Sequence, residues 1–224
     1  MAVATDPLTA RFEAFIQAPD FPCVGAKSAL ARQQIVVTVA GDIRCPADDG
    51  AVFRQLTQFA ADYHREPLTF QSFAVLFRTP DVLSEEAFET ALWARVQALE
   101  DRDAAAGNAY DPRVSPDADS PHFSLSFGGE AFFLVGLHPG ASRPARRFEV
   151  PVLVFNPHDQ FEQLRAADRY ETLRQSIIER DIAIAGSPNP MLARHGEISE
   201  ARQYSGRAVE DTWKCPFKDP HHDD

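Results

Sequence analysis

A chain of 224 residues is long enough for one substantial core with appendages, and 44% hydrophobic with 25% charged residues is the balance of a globular protein, not a disordered one. The formal net charge is −11 and RPARR at 143–147 is the one strongly basic window, which excludes the broad basic face that nucleic acid demands. Apolar runs such as AFFLVGL (131–137) are too short to cross a bilayer, and the N-terminus lacks the basic-then-apolar layout of a secretory signal, so a cytoplasmic protein with no membrane partner is expected.

The first helix is predicted over 8–18, with Phe12, Phe15 and Ile16 on one side. A turn at Phe21–Pro22 precedes a second helix over about 24–33. The β-branched run QIVVTVAG (34–41) predicts a strand, and apolar positions 52, 53, 56, 59 and 60 predict a helix starting near Asp49. LTFQSFAVLFR (68–78) reads as a second strand. Ser84 is placed to cap a long helix over 84–105, whose Phe88, Leu92, Val96 and Leu99 form a stripe.

Residues 106–121 hold three prolines and no periodicity, which predicts a long loop or lid. Three strands follow at 122–127, 130–137 and 148–155, the first two joined by a hairpin at Gly128–Gly129. A long helix is expected over 159–182, then an irregular segment over 186–224. With no repeat and no domain boundary, the order predicts a single α+β domain over 1–224, a mostly antiparallel sheet backed by helices.

Several familiar chemistries are absent: no dinucleotide-binding glycine pattern, no P-loop, no H-E-x-x-H and no G-x-S-x-G. The three cysteines, Cys23, Cys45 and Cys215, are widely spaced and signal neither a zinc ribbon nor a disulfide framework; reduced thiols are expected. Cys23, near an expected helix N-terminus that would lower its pKa, is a candidate thiolate ligand.

His138 and His158 both end predicted strands, and their paired positions are expected to be adjacent. Ser142, Arg143, Arg146 and Arg147 follow His138 in a turn and form a donor cluster suited to carboxylates. A structural histidine and a solvated arginine loop are the commoner cases. Together, two histidines and three arginines would suit a flat cofactor with two carboxylates and an axial metal position, such as haem. Asp159 and Gln160, which follow His158 and could orient an imidazole, favour it as the metal ligand.

Six segments, FPCVGAKSA, GLHPGASRPARRF, VFNPHDQFEQLR, RD…GSPNPML, SEARQYSGR and WKCPF, resemble the signature blocks of the YqcI/YcgG family in order over residues 20–217. The understood members of that family are haem-dependent enzymes that hydroxylate a guanidine nitrogen. The resemblance implies a haem b protein with oxygen or peroxide chemistry, and a small guanidino or amino compound as its cationic substrate. His138 and His158 match the two histidine blocks, Arg143, Arg146 and Arg147 the basic turn, and Cys23 the N-terminal block. Glu200, with Arg202, Gln203, Tyr204 and Ser205, matches the C-terminal one.

In this reading His158 holds the iron, and His138 is a distal acid/base group or the alternative ligand. Glu200 or Glu197 grips the substrate cation. The alternatives are a haem-binding sensor or carrier without turnover, and a non-haem protein in which His138, His158 and a carboxylate hold a divalent metal, or in which they bind nothing. Homodimerisation is left open.

Overall fold

The structure, a computed structural model, describes residues 6–80 and 82–221. Its helices are α1 Pro7–Gln17, α2 Val24–Ala31, α3 Asp49–Arg65, α4 Glu85–Ala105, α5 Asp159–Ala166, α6 Tyr170–Ala185 and α7 Ala201–Tyr204. Its strands are β1 Ile35–Asp42, β2 Ser72–Thr79, β3 Leu125–Phe127, β4 Glu130–Leu137 and β5 Val152–Pro157. The strands form one sheet in the order β1-β2-β5-β4-β3, in which β1 pairs β2 in parallel and the other pairs are antiparallel. The expected α+β architecture is therefore present, with the parallel pair at one edge.

Side chains alternate across the sheet, as a pleated strand requires, and give it two apolar faces. Phe73, Val75, Phe77, Leu134, Leu153 and Phe155 pack with the α3 stripe (Val52, Leu56, Phe59) and the α4 stripe (Phe88, Leu92, Val96, Leu99). Ala74, Leu76, Leu137 and Val152 on the other face meet Leu8, Phe12 and Ile16 of α1. Ser84 caps α4 as expected, its hydroxyl accepting from the Ala87 N–H at 3.2 Å. Where α4 crosses β4, a Cβ built on Gly136 would lie 2.7–2.9 Å from Phe88 and Leu92, so this close approach needs glycine.

The β3–β4 turn has positive φ at both Gly128 and Gly129, the hairpin geometry the sequence predicts. Four boundaries differ from expectation, the first being β2, which starts at Ser72 rather than 68 because Phe70 takes a φ of 75°. The helix expected over 159–182 is two helices, because Asp168 takes a φ of 52° and the Arg169 N–H folds back to the Leu164 carbonyl at 2.9 Å. The last strand starts at Val152 rather than 148, after Pro151, and the strand expected over 122–127 shrinks to Leu125–Phe127. Residues 106–121 contain no helix and no named strand, and the segment is tied down. The Tyr110 hydroxyl donates to the Ser124 carbonyl at 2.6 Å, and buried Asp111 accepts from the Ala131 N–H at 2.9 Å.

Candidate functional site

β5 ends at Pro157, and His158 sits at the corner where the chain turns into α5, its N–H donating to the Ala131 carbonyl at 2.7 Å. That bond continues the β4–β5 ladder by one residue and fixes the corner. His158 is 7% exposed. Its Nε2 lies 3.2 Å from His195 Nδ1 and 3.4 Å from Glu200 Oε1, and His195 Nδ1 lies 2.8 Å from that same oxygen. Glu200 is buried at the N-terminal end of α7, and the Tyr204 hydroxyl donates to its second oxygen at 3.3 Å.

Burial acts to raise the Glu200 pKa, but hydrogen bonds from His158 and His195 outweigh it, and the carboxyl is held below its usual value. With Glu200 ionised, both imidazoles face it as N–H donors. The three atoms are those of a two-histidine, one-carboxylate metal set. A bound ion would displace the protons that the two rings now direct at the carboxylate.

This polar cluster lies at the wall of a cavity of about 330 Å³. Phe12, Ile16 and Phe21 line it from the α1 side, Phe133, Val135 and Val154 from the sheet, and Leu173, Ile177 and Ile178 from α6. An apolar chamber with a few convergent polar groups is the ordinary form of a small-molecule or cofactor site. Two further cations line it. Arg165 stacks on Tyr170, 4.4 Å from the ring centroid, and pairs with Glu162, while Arg174 has no hydrogen-bond or ion-pair partner among the described residues.

Of the residues singled out in the sequence, His158, Glu200 and Cys23 meet at this cavity. Cys23 does cap α2, its Sγ accepting from the Ala26 N–H at 3.4 Å, but burial raises its pKa, contrary to the expected lowering. His138 lies elsewhere. Antiparallel pairing sets Pro157 opposite Phe132 and Val152 opposite Leu137, so the strand ends bearing His158 and His138 point opposite ways, roughly 20 Å apart at strand spacing. His138 is buried against Phe88, with ring centroids 4.3 Å apart, and its burial lowers its pKa to about 4. It does not line the cavity.

The basic turn is likewise a structural element. Arg143 pairs with Asp181 and donates to the Ser187 carbonyl at 2.9 Å. Arg146 donates to the carbonyls of Gly136 (3.1 Å) and Tyr204 (3.0 Å), and Arg147 to those of Ala141 (3.0 Å) and Ser142 (3.2 Å). The Ser142 N–H meets Glu85 at 2.9 Å. None of these four residues lines the cavity. Donor-rich turns suit backbone carbonyls as well as anions, and here carbonyls and two carboxylates of the chain itself, Asp181 and Glu85, take them. Glu197 accepts from the Arg194 N–H at 2.9 Å and also stands off the cavity wall.

The sequence reading missed His195, Arg165 and Arg174. His195 precedes Glu200 by five residues in the segment NPMLARHGEISEARQYSGR, where its histidine was the available signal.

The profile of the YqcI/YcgG family matches residues 12–218, nearly the whole chain. The chain belongs to the YqcI/YcgG family. It is 27% identical over 213 residues to "Uncharacterized protein YcgG" of Bacillus subtilis (strain 168), an alignment covering 89% of this chain and 81% of that relative. No solved structure matches the chain. Among the described residues no helix is long and apolar enough to cross a membrane. In the YqcI/YcgG chain described here, the VFNPHDQFEQLR and SEARQYSGR blocks meet at one cavity, and the GLHPGASRPARRF block braces the fold away from it.

Proposed function

We propose that the protein is a haem-dependent oxygenase that hydroxylates a nitrogen of a small guanidino or amino compound. One observation carries this reading: an apolar cavity whose wall holds two imidazoles converging on one buried carboxylate. The lining offers groups that haem b would use. His158, set on a rigid strand end, would hold the iron, and Arg165 and Arg174 would face carboxylates in place of the 143–147 turn. When bound, haem supplies activation of dioxygen or peroxide toward a nitrogen nucleophile.

The chain's own groups do the rest. The apolar walls exclude water and strengthen every charge interaction inside. Glu200, which keeps His195 Nδ1 as a partner at 2.8 Å when His158 is given to the iron, suits a charge-assisted pair with a guanidinium. His195, oriented through Nδ1 by that carboxylate, holds a proton within reach of the same place.

A second reading is favoured by the spacing of the cluster. Two of its three edges, 3.2 and 3.4 Å, are those of ligand atoms around one ion bonded at about 2.1 Å, which span about 3.0–3.4 Å, and the third, 2.8 Å, is shorter by a few tenths. In that reading His158, His195 and Glu200 chelate a non-haem divalent metal directly.

The test is protein produced in haem-supplemented cells, with absorption spectrum, metal content and product analysis compared. A Soret band that His158→Ala loses, with gain of one oxygen by arginine or a related guanidine in mass spectrometry, is the expected result. Glu200→Gln should lower turnover at least tenfold and leave the haem in place. Protein-bound metal without a Soret band supports the direct-chelate reading. A red protein that oxidises no member of an amine and guanidine panel supports a sensor or carrier.

A further inference from the structure

We propose that Glu100, Asp103 and His221 form a second, structural divalent-cation site, suited to zinc, that clamps the C-terminal segment to the end of α4. The site lies on the α4 face of the sheet, apart from the cavity, and the inference is independent of the proposed function.

Glu100 and Asp103 are three residues apart near the C-terminal end of α4, so they share one helix face, and both are fully buried. Each carboxylate is already fixed by one oxygen. Glu100 Oε1 accepts from the Ser126 N–H at 3.1 Å, and Asp103 Oδ1 from the Gly128 N–H at 2.9 Å and the Asn108 amide at 2.8 Å. Their second oxygens, Glu100 Oε2 and Asp103 Oδ2, are buried with no hydrogen-bond partner, and so is His221 Nε2. One ligand atom from each of the three residues lies within 4.8 Å of the others.

Buried polar atoms in native proteins are almost always satisfied, and three without a hydrogen-bond partner in one cluster call for an occupant. Among the described residues no arginine or lysine pairs with Glu100 or Asp103. The histidine is also set up as a ligand. Its Nδ1 lies 3.0 Å from Asp219 Oδ1, and that carboxylate orients the ring and leaves Nε2 as the basic nitrogen, the arrangement that supports metal-bound imidazoles. His221 Nε2 stands 3.9 Å from Asp103 Oδ2, so the ring has to close by about half an ångström for both atoms to bond one ion at about 2.0–2.1 Å. One nitrogen and two carboxylates favour zinc over magnesium or calcium, which take oxygen.

Such an ion would join three parts of the chain. The carboxylates hold the β3–β4 hairpin through Ser126 and Gly128, and His221 closes the segment whose Trp213 and Phe217 pack on the main core.

The experiment uses the full chain after dialysis against EDTA, in a His195→Ala background that removes a ligand from the other cluster. Zinc chloride is titrated by calorimetry, and Tm is measured with and without saturating zinc. The expected result is one equivalent bound and a Tm rise on the order of 5 °C. Asp103→Asn and His221→Ala, each folded by circular dichroism, should lose both. The proposal is overturned by no zinc-dependent shift, or by a shift that persists in both variants, which would place zinc on surface histidines. It is also overturned if Glu100→Gln raises stability in metal-free buffer and the parent binds no zinc, since the two carboxyls then share a proton instead.

Discussion

At the residue scale, His138 shows how far burial alone can redirect a group with catalytic potential. It is 1% exposed, stacked on Phe88, and its Nδ1 has no hydrogen-bond partner, so it is neutral at pH 7 and its pKa is pushed down to about 4. The unfolded chain takes up this proton near the ordinary histidine value of about 6.5. Between those values the unfolded state binds more protons than the native one, so stability is full above about pH 6.5 and falls as pH drops toward 4. His138→Gln cannot titrate. Urea midpoints measured from pH 7.5 to 4.5 should show the gap between the variant and the parent narrowing as pH falls. A gap independent of pH would mean that His138 is not buried as a neutral ring. Arg146 tells the same story from the cationic side: burial lowers its pKa to about 10, and the carbonyls of Gly136 and Tyr204 hold it.

At the element scale, the contact between α4 and β4 is set by one missing side chain. Gly136→Ala would push a methyl group within 2.9 Å of Phe88 and Leu92, in a core without slack. Overpacking of this kind costs about 1–3 kcal/mol, read as a lower urea midpoint at unchanged slope. α4 was also the most legible element, because a buried stripe and a Ser84 cap mark a helix without reference to anything distant. The break at Asp168 was not legible, since a non-glycine residue at positive φ carries no periodic signal. Likewise the strands bearing His138 and His158 could be read, but not that they run antiparallel and carry their ends apart. His195 sits in a segment with no periodicity, and only the fold brings it to Glu200. The basic turn was visible as a donor cluster, yet the same guanidinium pattern serves an anion or a row of carbonyls, and sequence holds nothing to separate them.

At the scale of the whole molecule, the cavity draws its wall from Phe12 through Gln203, so no local segment contains it. Phe12 comes from the first helix, Val135 and Val154 from neighbouring strands, and His195 and Glu200 from near the end of the chain. Contacts this far apart in sequence form late, because loop closure must come before they can contribute. The order of assembly in time follows. Trp93 of α4 and Trp213 of the last segment, the only two tryptophans, stand with ring centroids 6.4 Å apart, so their fluorescence reports when the C-terminal stretch docks. If the protein holds haem as proposed, haem capture in stopped-flow refolding should never run ahead of that fluorescence phase. Capture that preceded it would mean a partly folded chain already offers the chamber. If docking comes first, a nascent chain on the ribosome has no finished chamber, and loading of any ligand the chamber takes is an event of the released protein.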